Sequence, residues 1–260
     1  MTMLESPTHT RPELVAAYAE QARKVYGEGD TQVVALDSVD IAFGAGEFTA
    51  IMGPSGSGKS TLMHSLAGLD RLTSGRVVIG DVDLSVLSEK ELTLLRRTKI
   101  GFVFQAFNLI PTLTAAENIT LPIDLGKSTL DMAWFDEVVR AVGLNDRLGH
   151  KPNELSGGQQ QRVAVARALA SRPEVVFADE PTGNLDSTAG AAILQFMADA
   201  VRQYQQTIVM VTHDPVAASY ADRVVFLADG QIRSELRDPS TESILQSLRS
   251  TAQNAPSERV

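Results

Sequence analysis

Gly53-Pro54-Ser55-Gly56-Ser57-Gly58-Lys59-Ser60-Thr61 stands between the apolar run Phe48 to Met52 and a segment carrying Leu62, Met63, Leu66 and Leu69. Apolar run, glycine loop and spaced large side chains read as strand, loop and helix. The loop matches G-x-x-x-x-G-K-[ST]. There, glycines let backbone N–H groups turn inward, and the following helix aims its positive dipole end at an anion. Residues Gly53 to Thr61 then form a phosphate cradle, with Lys59 reaching the β- and γ-phosphates of a nucleoside triphosphate. The Ser60 hydroxyl is offered to Mg²⁺, which bridges the crowded phosphate charge. The competing reading is a Gly/Ser-rich turn that binds nothing; the spacing together with the strand-before, helix-after context favours the cradle.

Composition bounds the rest. A chain of 260 residues with 43% hydrophobic content can bury one large core, or one core with a smaller subdomain. No apolar run approaches the roughly 18 to 20 residues that cross a bilayer, and Met1 to Pro12 lacks a basic-then-apolar signal design. The expectation is a chain that stays in the cytosol unless a partner holds it elsewhere. The absence of cysteine excludes disulfides, zinc knuckles and thiol catalysis. A formal charge of −9 argues against nonspecific nucleic-acid binding, which needs basic surface to displace counterions.

Residues 1–12, polar with Pro7 and Pro12, read as a mobile tail. Leu14 to Ala22 is alanine-rich, but its spacing to the glycine loop suits an edge strand leading into Lys24-Val25-Tyr26-Gly27. Val33 to Leu36 and Val39 to Phe43 read as two short strands broken by Asp37-Ser38, an antiparallel patch before the loop. Beyond it, Arg76 to Ile79 reads as a strand, and Ser88 with Glu91 as a capping box for a helix to about Arg97. Ile100 to Phe104 is an apolar strand ending at Gln105. Asn108 to Pro122 mixes apolar residues with two prolines and receives no element. Helices are expected over Met132 to Val142, Gly158 to Ala170 and Ser187 to Tyr204, with apolar strands Val175 to Ala178 and Thr207 to Val211. Asp214-Pro215 opens a short helix, Val224 to Leu227 and Gln231 to Ser234 form a hairpin, and Ser243 to Leu248 is a tail helix.

Apolar strands alternating with helices indicate an α/β fold with a mostly parallel core sheet, its ligands at the carboxyl ends of strands. Four such ends carry chemistry: the glycine loop, Gln105, Asp179-Glu180 and His213. With Leu155-Ser156-Gly157-Gly158-Gln159 they resemble the ATP-binding subunit of an ATP-binding cassette (ABC) transporter, over about Tyr26 to Gly230. The order of these motifs is far more specific than the phosphate loop, which kinases and GTPases share, and no Asn-Lys-x-Asp guanine-reading stretch occurs. The resemblance implies a P-loop cassette over 13–238, with an N-terminal antiparallel subdomain and a helical subdomain at about 106–172 carrying LSGGQ. It leaves 239–260 as a C-terminal tail.

The same resemblance assigns roles. Asp179 resembles the carboxylate that holds Mg²⁺ through its water shell, and Glu180 the general base that orients the attacking water. Gln105 touches Mg²⁺ and the water, while His213 bonds the γ-phosphate and holds Glu180. Tyr26 resembles the aromatic residue that stacks on adenine, against the alternative of a structural tyrosine. Asp186 is similar to the residue of a loop that crosses between subunits, and equally reads as an N-cap. His9, His64 and His150 have no comparable context.

LSGGQ implies a second copy. Ser156, Gly157, Gly158 and Gln159, at a helix start, form a second anion cup. In the family that cup serves the nucleotide held by the opposite subunit, so two chains pair head to tail around two ATP. With no span of its own, the chain would drive a separately encoded integral membrane permease from the cytoplasmic face of the membrane. It would dock near Gln105 to Glu117, with Phe107, Leu109 and Ile110 as apolar contacts. Phe104 to Pro111, Ala116 to Ile119 and Ala178 to Asp186 look like the subgroup that works with large-loop permeases in lipoprotein release, macrolide efflux and cell-division signalling. A soluble ABC ATPase and an importer subunit are the rival readings.

Overall fold

A computed structural model describes residues 15–126 and 128–253. The segment expected as a mobile tail lies outside the described residues, as do Leu14 and residues 254–260. In chain order the strands are β1 (Val15–Tyr26), β2 (Val33–Gly44), β3 (Phe48–Met52), β4 (Ser74–Ile79), β5 (Val82–Asp83), β6 (Ile100–Phe104), β7 (Val175–Asp179), β8 (Ile208–Val211), β9 (Arg223–Ala228) and β10 (Gln231–Arg237). The helices are α1 (Lys59–Leu66), α2 (Glu89–Lys99), α3 (Ala115–Gly126), α4 (Met132–Ala141), α5 (Gly157–Leu169), α6 (Ser187–Tyr204), α7 (Pro215–Ala218) and α8 (Thr241–Gln253).

The core sheet has the order β10-β9-β3-β8-β7-β6. Its strands β9, β3, β8, β7 and β6 are parallel, and only β10 runs antiparallel. Apart from Thr49, Arg223 and Asp179 the central strands are apolar because both faces are covered, and alternate residues enter two different cores. Phe48, Ala50 and Met52 face one side with Val176, Ala178 and Met210, against α3 to α6. Ile51, Phe177, Val209 and Val211 face the other, against Leu62, Met63 and Leu66 of α1 and Leu92 and Leu95 of α2. The second sheet, β2-β1-β4-β5, is antiparallel and closes over this second core. Ile244 of α8 is fully buried in the first core, so the helix at the C-terminal end packs onto the body of the molecule.

Three local expectations are corrected. β1 is an interior strand paired with β2 and β4, and its small alanines Ala17, Ala19 and Ala22 are buried where the sheet packs closely. β2 is continuous through Asp37-Ser38: Ser38 takes φ +55, the pairing register slips between Ala22/Val39 and Lys24/Leu36, and Asp37 N–H donates to Gly230 O at 2.9 Å. The polar pair is thus a bulge, with no break in the strand. Helix α3 forms despite Pro122 at its eighth position. Its start is written in the sequence as Thr114-x-x-Glu117, a reciprocal cap in which Thr114 N donates to Glu117 Oε2 at 2.7 Å and Glu117 N to Thr114 Oγ1 at 3.3 Å.

Candidate nucleotide site

The phosphate loop leaves β3 and enters α1, whose left-handed N-cap Gly58 has φ 100. Two glycines here are fixed by backbone contact. A Cβ on Gly53 would lie 2.0 Å from Leu227 O, and one on Gly58 2.3 Å from Ala35 O. Gly56 meets nothing within 4 Å and stands at the open side of the loop with exposed Pro54, Ser55 and Ser60. Lys59 Nζ donates to Gly53 O at 2.9 Å and Pro54 O at 2.7 Å, so the ammonium lies inside the curl of the loop. Burial pushes its pKa down, opposed by the carboxylates of Glu180 and Asp179. Ser57 is buried, its O accepts Gly230 N–H at 3.1 Å, and its Oγ has no hydrogen-bond partner among the described residues.

The carboxyl ends of β6, β7 and β8 carry the other polar groups, of which Asp179 and Glu180 act on Lys59 of this loop. Asp179 ends β7, and burial raises its pKa, countered by His64 and Lys59 and reinforced by Glu180. Glu180 follows in the left-handed region at φ +45, with its N–H donated to Val211 O of β8 at 2.9 Å. Strain of this kind in a non-glycine residue costs on the order of 1–3 kcal/mol and persists only where neighbours enforce it. His213 Nδ1 lies 2.7 Å from Glu180 Oε1. Gln105 sits beside the turn after Glu180: a Cβ on Gly183 would fall 2.7 Å from Gln105 Nε2, and Asn184 Nδ2 donates to Gln105 O at 2.8 Å.

Ser156 is the N-cap of α5. Gln159 N donates to Ser156 Oγ at 3.3 Å, and Ser156 N to Gln159 Oε1 at 2.9 Å. The Gln159 side chain therefore serves the cap, and the first-turn amides at Gly157 and Gly158 are left without intrahelical partners. Asp186 caps α6 by accepting Ala189 N–H at 2.9 Å, the structural role the sequence allows for it. Tyr26 is 42% exposed; its hydroxyl donates to Asp70 Oδ2 at 2.5 Å, and Lys24 Nζ lies 4.7 Å from its ring centroid. Asp70 also receives Lys24 Nζ at 2.5 Å.

Among the described residues no group of three or more His, Asp or Glu could hold a metal by itself. The residues expected to meet a metal offer oxygen donors, few in number: the Ser60 hydroxyl in the loop, the Asp179 carboxylate that acts on Lys59, and the Gln105 amide beside Gly183. That donor set fits Mg²⁺, which keeps waters and takes phosphate oxygens, and does not fit a transition-metal cage. The structure also brings in Asp70, Asn184, Gln161 and Arg167, which sequence reasoning passed over. Asn184 lies in a recognised motif; nothing in the sequence marks Asp70, Gln161 or Arg167, because their partners are backbone carbonyls or residues remote in the chain.

A protein-family model described as ABC transporter matches residues 36–183. The ABC transporter ATP-binding protein MJ0796 of Methanocaldococcus jannaschii is 46% identical over 220 residues, covering 82% of this chain and 93% of that protein. The bacitracin export ATP-binding protein BceA of Halalkalibacterium halodurans is 42% identical, covering 90% of this chain and 94% of the relative. The macrolide export ATP-binding/permease protein MacB of Bdellovibrio bacteriovorus is 44% identical over 83% of this chain, which matches 33% of that longer protein. A solved dimeric structure of the MJ0796 cassette in a post-hydrolysis state, bound to ADP and Pi, superposes with a TM-score of 0.77 at 41% identity, over 86% of this chain and 99% of that one. No described helix is long and apolar enough to cross a membrane. With phosphate loop, strand-end carboxylates and LSGGQ on this one fold, the chain belongs to the ABC transporter family, as an ATP-binding subunit that hydrolyses ATP.

Proposed function

We propose that two copies of the chain pair head to tail around two ATP molecules, and that hydrolysis drives a separate membrane permease in efflux or mechanical work at the cytoplasmic face. The observation that carries this reading is the setting of the α5 N-terminus. Ser156 and Gly157 are exposed, and the side chains that a Cβ on Gly157 or Gly158 would meet within 4 Å are Phe107, Leu185 and Ala189, none of them in the phosphate loop. A cup of helix amides standing apart from its own chain's loop is placed to serve a nucleotide held by another copy. The solved MJ0796 relatives are dimeric, which supports the same arrangement.

Within each site Lys59 would neutralise the β- and γ-phosphates, and Ser60, Gln105 and Asp179 would hold Mg²⁺. Bound Mg²⁺ supplies charge neutralisation on the phosphate oxygens. Glu180 accepts a proton from the attacking water, and its strained backbone fixes where the carboxylate points. His213 Nδ1 lies on the Glu180 carboxylate, and a ring carrying both protons would have Nε2–H left to donate to the γ-phosphate. Tyr26 presents its ring to adenine, and Asp186 stands near the partner copy. Of the apolar residues expected to meet a permease, Ile110 is exposed and Phe107 half-buried, whereas Leu109 packs against the core. The export proteins BceA and MacB favour efflux over import. Ser156→Arg, which fills the cup with a long side chain, should retain ATP binding and lose both turnover and pairing. Normal turnover in that variant contradicts the proposal.

A further inference from the structure

Helix α5 is tied within its own chain to both catalytic segments. Gln161 is fully buried, and its Nε2 donates at 2.5 Å to the carbonyl of Pro181, the residue after Glu180. Its Oε1 is buried with no hydrogen-bond partner among the described residues. A buried amide oxygen left unpaired is costly, and an apolar side chain of the same size would avoid that cost. What the amide provides is the bond to the turn that carries Glu180.

Two turns further along, Arg167 reaches the segment after Gln105. Its guanidinium donates to Asn108 O at 2.6 Å and Phe107 O at 2.9 Å. Phe107 and Asn108 are consecutive left-handed residues, φ 57 and 49, so the loop holds a strained conformation where the guanidinium grips it. Among the described residues no carboxylate forms an ion pair with Arg167, and burial lowers its pKa. A half-buried charge whose hydrogen bonds among the described residues go to backbone carbonyls is an expensive way to pack a helix, but a stiff way to fix a loop. At its N-terminal end α5 presses on α6: a Cβ on Gly158 would lie 3.2 Å from Ala189 Cβ.

We propose that Gln161 and Arg167 are positioning residues that make α5 a rigid link between the two nucleotides of the pair. Their side chains set the segments carrying Glu180 and Gln105, which act on the chain's own ATP, while Ser156 to Gly158 at the other end of the helix act on the partner's. This rests on the head-to-tail pairing proposed above. A change in either site then moves the helix end that completes the other.

The test uses mixed pairs in which only one site turns over. Limiting wild-type chain is mixed with a large excess of Glu180→Gln chain before Mg-ATP is added, so each active Glu180 faces an inactive partner. Gln161→Met is then placed either in the limiting chain, beside the active Glu180, or in the excess chain, whose LSGGQ completes that site. Turnover should fall on the order of tenfold in both arrangements, the effect of losing about one well-made hydrogen bond in the transition state. Melting temperature and ATP affinity of the single chain should stay near wild type, so that kcat falls with little change in KM. Loss in only one arrangement, or in neither, overturns the link. If Gln161→Met does not fold, Arg167→Met and Arg167→Lys give the same comparison: lysine keeps the charge and should recover part of the loss, and equal turnover in all three chains overturns the proposal. Failure of Glu180→Gln chain to pair at saturating Mg-ATP would instead remove the head-to-tail reading itself.

Discussion

His213 Nδ1 meets Glu180 Oε1 at 2.7 Å, joining the ends of β8 and β7 at the mouth of the phosphate loop. The two side chains come from strands that are neighbours in the core sheet, and Glu180 N–H is itself bonded to Val211 O at the end of β8. Backbone and side chain thus hold the carboxylate from the same strand. Glu180→Gln keeps the size and most of the hydrogen bonding but cannot take a proton. It should lower kcat by roughly 10² to 10⁴ with ATP binding intact. His213→Ala frees the carboxylate and should lower kcat by on the order of tenfold or more, with a smaller effect on ATP affinity. Steady-state ATPase assays beside equilibrium binding check both.

Asp179 predicts a conflict between stability and activity. Burial raises its pKa, so the folded protein holds that proton to higher pH than the unfolded chain does. Stability is therefore lost as pH rises through the folded pKa, and the cost is absent below the unfolded value of about 4. Asp179→Asn carries no charge to bury. Its Tm should exceed wild type at pH 7, the difference should shrink towards pH 4, and turnover should fall on the order of a hundredfold. Thermal melts across that range, with ATPase assays, decide it.

The phosphate loop separates glycines required by the fold from one required by the open site. Gly53→Ala and Gly58→Ala each place a Cβ against a backbone carbonyl of another strand and should lower stability by about 2–4 kcal/mol. Gly56→Ala, facing open space with φ +78, should cost only about 1–2 kcal/mol while weakening ATP binding. Urea unfolding of the three variants gives the comparison.

Tyr26 is held by Asp70 through its hydroxyl and has Lys24 near its ring. Tyr26→Ala should weaken ATP binding by about 1–3 kcal/mol, roughly fivefold to 150-fold. Tyr26→Phe keeps the ring and should bind ATP far better than the alanine variant. Titration with ATP distinguishes stacking from a purely structural tyrosine, for which both variants bind normally.

The parts of this architecture carried by local chemistry are legible in the sequence. Ser88 and Glu91 announce the start of α2, Asp214-Pro215 that of α7, and the uniformly apolar five-residue runs the strands buried on both faces. Where a distant partner decides, sequence alone misleads. Asp37-Ser38 looks like a strand break, yet Gly230 and the β1 backbone hold it in the sheet. Asn108 to Pro122, with its two prolines, suggests no element, yet the Thr114–Glu117 cap and buried Ile119 and Ile123 carry α3 through Pro122. The same holds at the site. Lys59, Asp179 and Glu180 stand out by motif, whereas the left-handed backbone of Glu180 and the grip of Arg167 on Phe107 and Asn108 depend on contacts between segments far apart in the chain.

The sharing of each nucleotide between two copies is tested most directly by the molar mass of the Glu180→Gln chain in solution, measured by light scattering with Mg-ATP and again with Mg-ADP. The arrangement around Lys59 of one copy and Ser156 of the other predicts twice the chain mass with ATP, a single chain mass with ADP, and no doubling when Ser156→Arg is added. A single chain mass at saturating ATP, in a protein shown to bind it, contradicts the shared site.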